Sequence, residues 1–350
     1  MKTWDRFIAA INRNEIDHVP VALIGTNRFY ASINEVELDD LFFDPQKMVD
    51  VQIQSLKKLK EITFIPGLWP DFGVGILSAF GCKVVWQKHM MPQINDHILG
   101  DVDSFPNLKI PNPHTDGMMV WYLKTLSKFM ERKDELEDCS HFVWSFGPGE
   151  LATYFCGASN FLMHLNDHPL EIQALLEKIT DAIIVWLNAQ LEINKQADAM
   201  LITDDIAGMM SKKFYETFLL PVHQKIRNAF PDFVYVLHND TKSDHLLASL
   251  PAAGINVFNL GKTTDLVKAR DTLSAQVSLM GNIDPLDLMM NGKPEEVYQE
   301  AVNRLKIFHK KDGFILSVGG GLNDGTKVEN IQALLQAVKN KKNGKNSETE

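Results

Sequence analysis

A histidine and a carboxylate follow a short apolar run near the middle of the chain. The run, residues 233–237, is β-branched and aromatic, and His238, Asn239 and Asp240 come directly after it. A run too short for a helix and followed by polar residues predicts a buried strand of a parallel sheet. Its polar end would lie at the carboxyl edge of the sheet, where α/β folds place their chemistry. There, His238 and Asp240 could hold a divalent metal or polarise a substrate; alternatively, His238 is a hydrogen-bonded residue lining the mouth.

Other short apolar runs end in polar or glycine-rich residues in the same way. Because the carboxyl ends of parallel strands meet at one edge, this recurrence predicts a shared site. The runs are 142–146, 199–202, 257–260, 277–280 and 314–318, which lead into Glu150, Asp204 with Asp205, Lys262, Asn282 with Asp284, and the glycines 319–321.

Three carboxylates at this edge allow more than one interpretation. Asp204 and Asp205 are adjacent, so one would face the pocket and the other would cap a helix. Glu150 follows a Gly-Pro-Gly sequence at a predicted helix start. It is either a first-turn acid favoured by the helix dipole, or a third metal ligand or general base beside His238.

Cations and glycines at the same edge could bind a substrate anion. Arg28 follows the first predicted strand and Lys262 follows the sixth. Of the two, we expect Arg28 to bind the substrate anion. The glycines at 319–321 would let the backbone approach a ligand closely, or could form a plain turn. Since they follow the last strand, we expect them to border the pocket.

The elements that must position these residues alternate along the chain. From residue 19 onward, about eight strand–helix alternations predict an α/β fold, a (β/α)8 TIM barrel, with a single domain over residues 1–340. Residues 83–113 are irregular and predict an excursion from the barrel. Residues 341–350 predict a polar C-terminal tail. Predicted helices include 169–195 with Pro169 in the first turn, one that Ser211 caps, and 244–253.

Composition excludes several classes of protein. A net charge of −10 and a pI near 5.6 argue against nucleic-acid binding, which calls for a basic face. No run is long enough to span a bilayer, and the first residues contain no apolar signal segment. Three cysteines without metal spacing, Cys82, Cys139 and Cys156, are typical of reduced thiols. We therefore expect a cytoplasmic protein.

Several motifs spread over the chain resemble the uroporphyrinogen decarboxylase superfamily, which contains porphyrinogen decarboxylases and cobalamin- or corrinoid-dependent methyltransferases. The resemblance implies a (β/α)8 barrel, in agreement with the strand count. The motifs are Asp-His-Val-Pro-Val at 17–21, Asp-Phe-Gly at 71–73, Ala-Phe-Gly at 79–81, Gly-Pro-Gly-Glu-Leu-Ala-Thr-Tyr at 147–154, Gly-Asn-Ile-Asp-Pro at 281–285, Gly-Lys-Pro-Glu-Glu-Val at 292–297 and Glu-Asn at 329–330.

The site residues match each branch of that family only in part. Decarboxylases carry two arginines, an aspartate, a tyrosine and a late histidine; the resemblance assigns Arg28 to one arginine and Asp71 and Tyr154 to the next two roles. Methyltransferases bind zinc through His-x-Cys and a late cysteine, and here Asp240 replaces the first thiolate. Gly320 occupies the late histidine or cysteine position.

We therefore expect a methyltransferase that moves a methyl group between a small methylated substrate and a corrinoid protein or thiol acceptor. The alternatives are a decarboxylase of a porphyrinogen or related compound, which would need no cofactor, and a non-catalytic binding barrel. Zinc or another divalent metal, a corrinoid carried by a partner protein, and a homodimer are the other expectations. The predicted residues are Asp71, Tyr154 and His238 for catalysis; Arg28, Asp204, Asn282 and Gly320 for substrate binding; and Glu150, His238 and Asp240 for metal.

Overall fold

The structure is a computed structural model that describes residues 1–70, 72–136, 138–309 and 311–342. Asp71, one of the predicted catalytic residues, lies outside the described residues. So does the predicted C-terminal tail from residue 343 onward.

Eight parallel strands in chain order form the barrel, which confirms the predicted fold class. Strands β5 to β10 make one continuous parallel sheet, and β1 pairs with β2. Parallel bridges from Val21 to Leu316 and from Ile24 to Gly321 join β1 to β10. The strands are β1 Ala22–Ile24, β2 Thr63–Ile65, β3 Val84–Val85, β4 Gln93–Ile94, β5 Phe142–Phe146, β6 Ala199–Thr203, β7 Val234–Asn239, β8 Val257–Leu260, β9 Ser278–Ile283 and β10 Phe314–Val318.

The remaining side of the barrel, between β2 and β5, is joined by adjacent loops. Leu68 N donates to Cys139 O over 3.2 Å. Gly67, at φ +91°, permits this contact, since a Cβ at that position would lie 2.2 Å from Cys139 O. A glycine is therefore required where the backbones of the two loops meet.

Helices surround the strands and close the amino end of the barrel. In α1, Trp4 stacks on His141 at the start of β5, with ring centroids 4.1 Å apart. No helix among the described residues has both the length and the apolar character to cross a bilayer. The helices are α1 Thr3–Ile11, α2 Asn27–Ile33, α3 Leu38–Phe43, α4 Pro45–Lys58, α5 Gly75–Ala79, α6 Met119–Glu131, α7 Pro148–Cys156, α8 Ala158–Asp167, α9 Pro169–Ile193, α10 Lys212–Phe214, α11 Leu220–Ala229, α12 Leu266–Leu273, α13 Pro294–Ile307 and α14 Val328–Lys342.

Local sequence signals explain where several helices begin. Pro169 occupies the first turn of α9, and the Ser211 hydroxyl accepts from Phe214 N at the start of α10, as predicted. The helix predicted over 244–253 is instead a 3-10 turn, Leu247–Ala253. It contains Pro251, which lacks the N–H group that an α-helix interior requires.

Two segments differ from the simple alternation of strand and helix. Strands β3 and β4, within the predicted excursion at 83–113, pair antiparallel and lie outside both parallel sheets. Arg28, predicted in a loop, lies in the first turn of α2, because the Thr26 hydroxyl caps that helix by accepting from Phe29 N.

Candidate active site

His238 lies in the barrel interior at the carboxyl end of β7. Its register partners are Thr203 on β6 and Asn259 on β8, so the three side chains share one face of the sheet. Its Nδ1 lies 2.6 Å from Asn259 Oδ1. The Asn259 amide donates to Met280 O (2.8 Å) and Val318 O (3.3 Å), which leaves Oδ1 as the acceptor. A neutral His238 therefore carries its hydrogen on Nδ1 and presents the lone pair of Nε2.

Two aspartates lie beside that nitrogen. His238 Nε2 is 3.9 Å from Asp205 Oδ1, and Asp240 N donates to the same oxygen over 2.8 Å. One ligand atom from each of Asp205, His238 and Asp240 lies within 4.8 Å of the other two. His238 is only 7% exposed, Asp205 is half-buried and Asp240 is exposed. This metal-ligand cluster (Asp205, His238 and Asp240) combines one nitrogen with two carboxylates.

Glu150, predicted as the third metal ligand, lies near this cluster but outside it; Asp205 takes the third place. Glu150 Oε2 accepts from Thr203 Oγ over 2.8 Å. Burial, followed by the nearby Asp205 carboxylate, raises the pKa of Glu150 well above its ordinary value. Burial also raises the pKa of Asp205, although His238 opposes that shift. Carboxyl groups thus crowd one side of the mouth, and this burial favours the protonated form of Glu150.

Asp204, predicted to bind substrate, is fully buried and holds the start of α7. Its carboxylate accepts from Gly149 N (3.2 Å) and Glu150 N (2.9 Å). It also lies 3.1 Å from His223 Nε2, and His223 Nδ1 lies 2.6 Å from the Tyr235 hydroxyl. Asp204 therefore caps the helix that carries Glu150, and of the two adjacent aspartates Asp205 is the one beside His238.

Tyr154 lies one helical turn after Glu150, on the same face of α7. Burial, and then the charges of Glu150 and Asp205, raise its pKa to about 12, so the phenol is a neutral hydrogen-bond donor. Its ring is 5.5 Å from that of Phe146. Phe146 contacts Trp144 (5.2 Å), which contacts Trp69 (5.0 Å). These four side chains, called the aromatic row below, lead from the loop after β2 to the carboxyl groups.

Asn282 and Gly320, both predicted to bind substrate, lie on the last two strands and the loop that follows. Asn282 is buried and donates to Gly261 O (3.3 Å) and Thr264 O (3.1 Å), so it holds the loop after β8. Its Oδ1 has no hydrogen-bond partner among the described residues. A Cβ at Gly320 would lie 3.7 Å from Asp240 Oδ2, which places this glycine directly beside the metal-ligand cluster.

The two cations singled out in the sequence differ in their surroundings. Arg28 is exposed on α2. Lys262 is bound to carboxylates, with Nζ 2.6 Å from Asp284 and 3.5 Å from Asp287. Among the described residues Arg28 has no ion-pair partner, whereas Lys262 is neutralised by two aspartates.

Sequence reasoning missed Asn259, His223 and the place of Asp205 in the cluster. Asn259 interrupts an otherwise apolar strand, and a polar residue in a buried strand signals a hydrogen-bonded partner. His223 lies in an amphipathic helix and carries no local signal that distinguishes it from a surface histidine.

Comparisons with known proteins identify the family from the sequence, and a solved structure shares the fold. The model of the uroporphyrinogen decarboxylase (URO-D) family matches residues 2–341. A uroporphyrinogen decarboxylase of Coxiella burnetii is 26% identical, covering 96% of this chain and 94% of its own. A methylated-thiol–coenzyme M methyltransferase of Methanosarcina mazei is 24% identical over 95% and 88% of the two chains. A solved methyltransferase structure from Methanosarcina mazei superposes with a TM-score of 0.80 at 18% identity, covering 96% and 98%.

Proposed function

Since the chain belongs to the uroporphyrinogen decarboxylase (URO-D) family of enzymes, we propose that it is a metal-dependent methyltransferase of that family. It would move a methyl group between a small methylated substrate and a corrinoid protein or thiol acceptor. The observation that carries the proposal is the orientation of His238. Asn259 fixes its Nδ1, and its buried Nε2 points toward Asp205 and Asp240 without a closer partner among the described residues.

The donor set fits a divalent ion. One imidazole nitrogen and two carboxylates suit zinc, manganese or ferrous iron. The three cysteines are buried elsewhere, so the described site contains no thiolate. The ion would supply Lewis acidity that lowers the pKa of a thiol or hydroxyl group of a substrate.

The other residues would bind and orient the reactants. Asn259 holds the His238 tautomer, Tyr154 donates a hydrogen bond, and Arg28 meets a substrate anion. Burial raises the pKa of Glu150 and so favours its protonated form. The role of Asp71, orienting the substrate, rests on the family resemblance.

Elemental analysis of protein purified without chelator tests the metal. We expect one divalent ion per chain in the wild type and its loss in His238→Ala. The matched control is His309→Ala, which removes an exposed histidine in the loop between α13 and β10, at the amino end of the barrel. Methyl transfer from methylcobalamin to a small thiol is then measured on both variants. A wild type that takes up no metal after reconstitution would refute this mechanism.

Decarboxylation is the second candidate function, favoured by Glu150 and Tyr154. Burial raises the pKa of both groups and so favours their protonated forms, and loss of carbon dioxide leaves a carbanion that needs a proton. The carboxyl groups of the site disfavour a substrate with many carboxylates, because like charges repel. Turnover of uroporphyrinogen or coproporphyrinogen by metal-free protein would select this function over methyl transfer.

A further inference from the structure

Three carboxyl groups at the mouth, those of Glu150, Asp205 and Asp240, have no lysine or arginine ion pair within the described residues. Asp205 interacts with His238 and with Asp240 N, and Glu150 with the Thr203 hydroxyl. Lys262, in the loop after β8, is already neutralised by Asp284 and Asp287. The mouth therefore concentrates carboxyl groups that have no cationic side-chain partner, and a positively charged ligand would stabilise their ionised forms.

The aromatic row adjoins this charge on the interior face of the barrel. Phe146 pairs with Thr203, which pairs with His238, and parallel partners point to the same face of a sheet. At its far end, Tyr154 lies one helical turn after Glu150 on α7, and burial, followed by the charges of Glu150 and Asp205, raises its pKa. Trp69 and Tyr154 are half-buried, so both retain surface that a ligand could reach.

We propose that this site takes a methylated onium ion, a quaternary ammonium or a tertiary sulfonium, with its methyl groups against the aromatic row and its charge toward the carboxyl groups. Aromatic faces attract such cations, and nearby carboxylates add to that attraction. The inference rests on the proposed methyl transfer, whose substrate it narrows to one chemical class.

The metal-ligand cluster and the onium ion would use different parts of the site. Asp205 and Asp240 belong to the cluster, whereas Glu150 lies outside it, between Thr203 and the aromatic row. A cation bound there also favours the ionised form of Glu150. The subsite therefore consists of Glu150, Tyr154, Phe146 and Trp69, and the buried Trp144 packs between Phe146 and Trp69.

Methyl transfer from an onium ion balances without a further reactant. The carbon–nitrogen or carbon–sulfur bond breaks, its electron pair stays on the leaving amine or thioether, and the methyl group bonds to the acceptor thiolate or to the reduced corrinoid. A thioether product is uncharged and loses the cation–π attraction, which favours its release. An amine product is neutral when the carbon–nitrogen bond breaks, and it then takes up a proton from water.

Calorimetric titration of the full chain tests the recognition step without requiring turnover. Choline and tetramethylammonium are compared with the uncharged carbon isostere of choline, in which a quaternary carbon replaces the nitrogen. We expect choline to bind about 10-fold or more tightly than its isostere, the size of a desolvated cation–π contribution. Equal affinities would overturn the inference, because apolar burial alone would then explain binding.

Ring substitutions locate the subsite. Phe146→Leu keeps an apolar side chain without the ring and should weaken choline binding about 3- to 30-fold, with little change for the isostere. Tyr154→Leu should do the same, and Tyr154→Phe should restore most of the affinity. Circular dichroism confirms that each variant is folded. Should both leucine variants bind choline like the wild type, the aromatic row is not the subsite.

The outcomes separate this inference from the proposed function. Methyl transfer from neutral thioethers or ethers, with no onium binding, would refute the substrate class and leave methyl transfer standing. Onium binding that depends on Phe146 and Tyr154, in a protein without metal or transfer activity, would support the subsite and refute the methyltransferase.

Discussion

The adjacent residues Asp204 and Asp205 each lie beside a different histidine. The two histidines differ in whether both of their ring nitrogens have a close hydrogen-bond partner. Asp204 and His223 are fully buried between β6, β7 and the outer helix α11. Both nitrogens of His223 are occupied, by Asp204 and by the Tyr235 hydroxyl. Asp205 and His238 lie at the mouth of the barrel, where only Nδ1 of His238 has a close partner.

The difference separates a structural pair from a site. Buried polar groups are normally satisfied, and the first pair meets that requirement within the protein itself. The second pair fixes one nitrogen and leaves the other directed at two carboxylates, an arrangement that a metal or substrate would complete. Residue type and burial are similar in the two histidines, so unused hydrogen-bonding capacity is the better indicator of function.

Removing the two aspartates should give the largest contrast. Asp204→Ala is expected to lower the free energy of unfolding by about 3 kcal/mol or more, because His223 and two backbone amides lose their acceptor. Asp205→Ala, the matched control, should cost less than about 1 kcal/mol, because it removes a crowded carboxylate. Urea denaturation measures both values. Similar losses in the two variants would mean that Asp205 is also structural.

Removing the Asn259 side chain, the hydrogen-bond partner of His238 Nδ1, should weaken metal binding while leaving the metal ligands in place. Asn259→Ala is expected to lower metal affinity about 10- to 100-fold, because the ring loses the partner that fixes its tautomer. Asn330→Ala is the control. Asn330, in α14, is equally buried, and its side chain also donates to backbone carbonyls, which belong to the loop before α13. Chelator competition gives the affinities. A comparable decrease in both variants would indicate a general loss of structure.

Substitutions of Gly149 and Gly320 test the space beside Asp204 and beside Asp240, respectively. A Cβ at Gly149 would lie 2.7 Å from Asp204 Oδ1, so Gly149→Ala should cost about 1–3 kcal/mol of stability through overpacking. At Gly320 the nearest atoms to a Cβ are Asp240 Oδ2 at 3.7 Å and Pro285 Cγ at 3.8 Å. Gly320→Ala should therefore lower the free energy of unfolding by only about 1 kcal/mol, because the φ of +140° is strained for alanine. We expect this variant to bind metal like the wild type. Thermal denaturation and elemental analysis compare the two variants. Loss of metal in Gly320→Ala would show that the space beside Gly320 is too small for an added methyl group.

The sequence predicted the barrel well because strand and helix periodicity repeats over the whole chain. It also predicted the edge where His238, Asp240 and Glu150 meet, since polar residues follow apolar runs at one end of each strand. It could not say which of Asp204 and Asp205 faces inward, because the two are adjacent and their orientation depends on tertiary packing. The pairing of Asp204 with His223, 19 residues away, likewise requires the helix α11 to be in place.

The smallest expected effect is a pH dependence of stability caused by Glu150, which lies near the Asp205–His238 pair. Burial raises the pKa of Glu150 in the folded protein, so the folded state keeps a proton that the unfolded chain would release. The stability this contributes is complete below the ordinary pKa of a glutamate and is lost as pH rises through the raised value. Metal-free protein should thus lose stability from mildly acidic toward neutral pH, and Glu150→Gln should flatten that decline. Glu171→Gln, at an exposed position in α9, should leave the profile unchanged. Identical profiles for the wild type and both variants would show that the crowded carboxyl groups at the mouth do not control this proton.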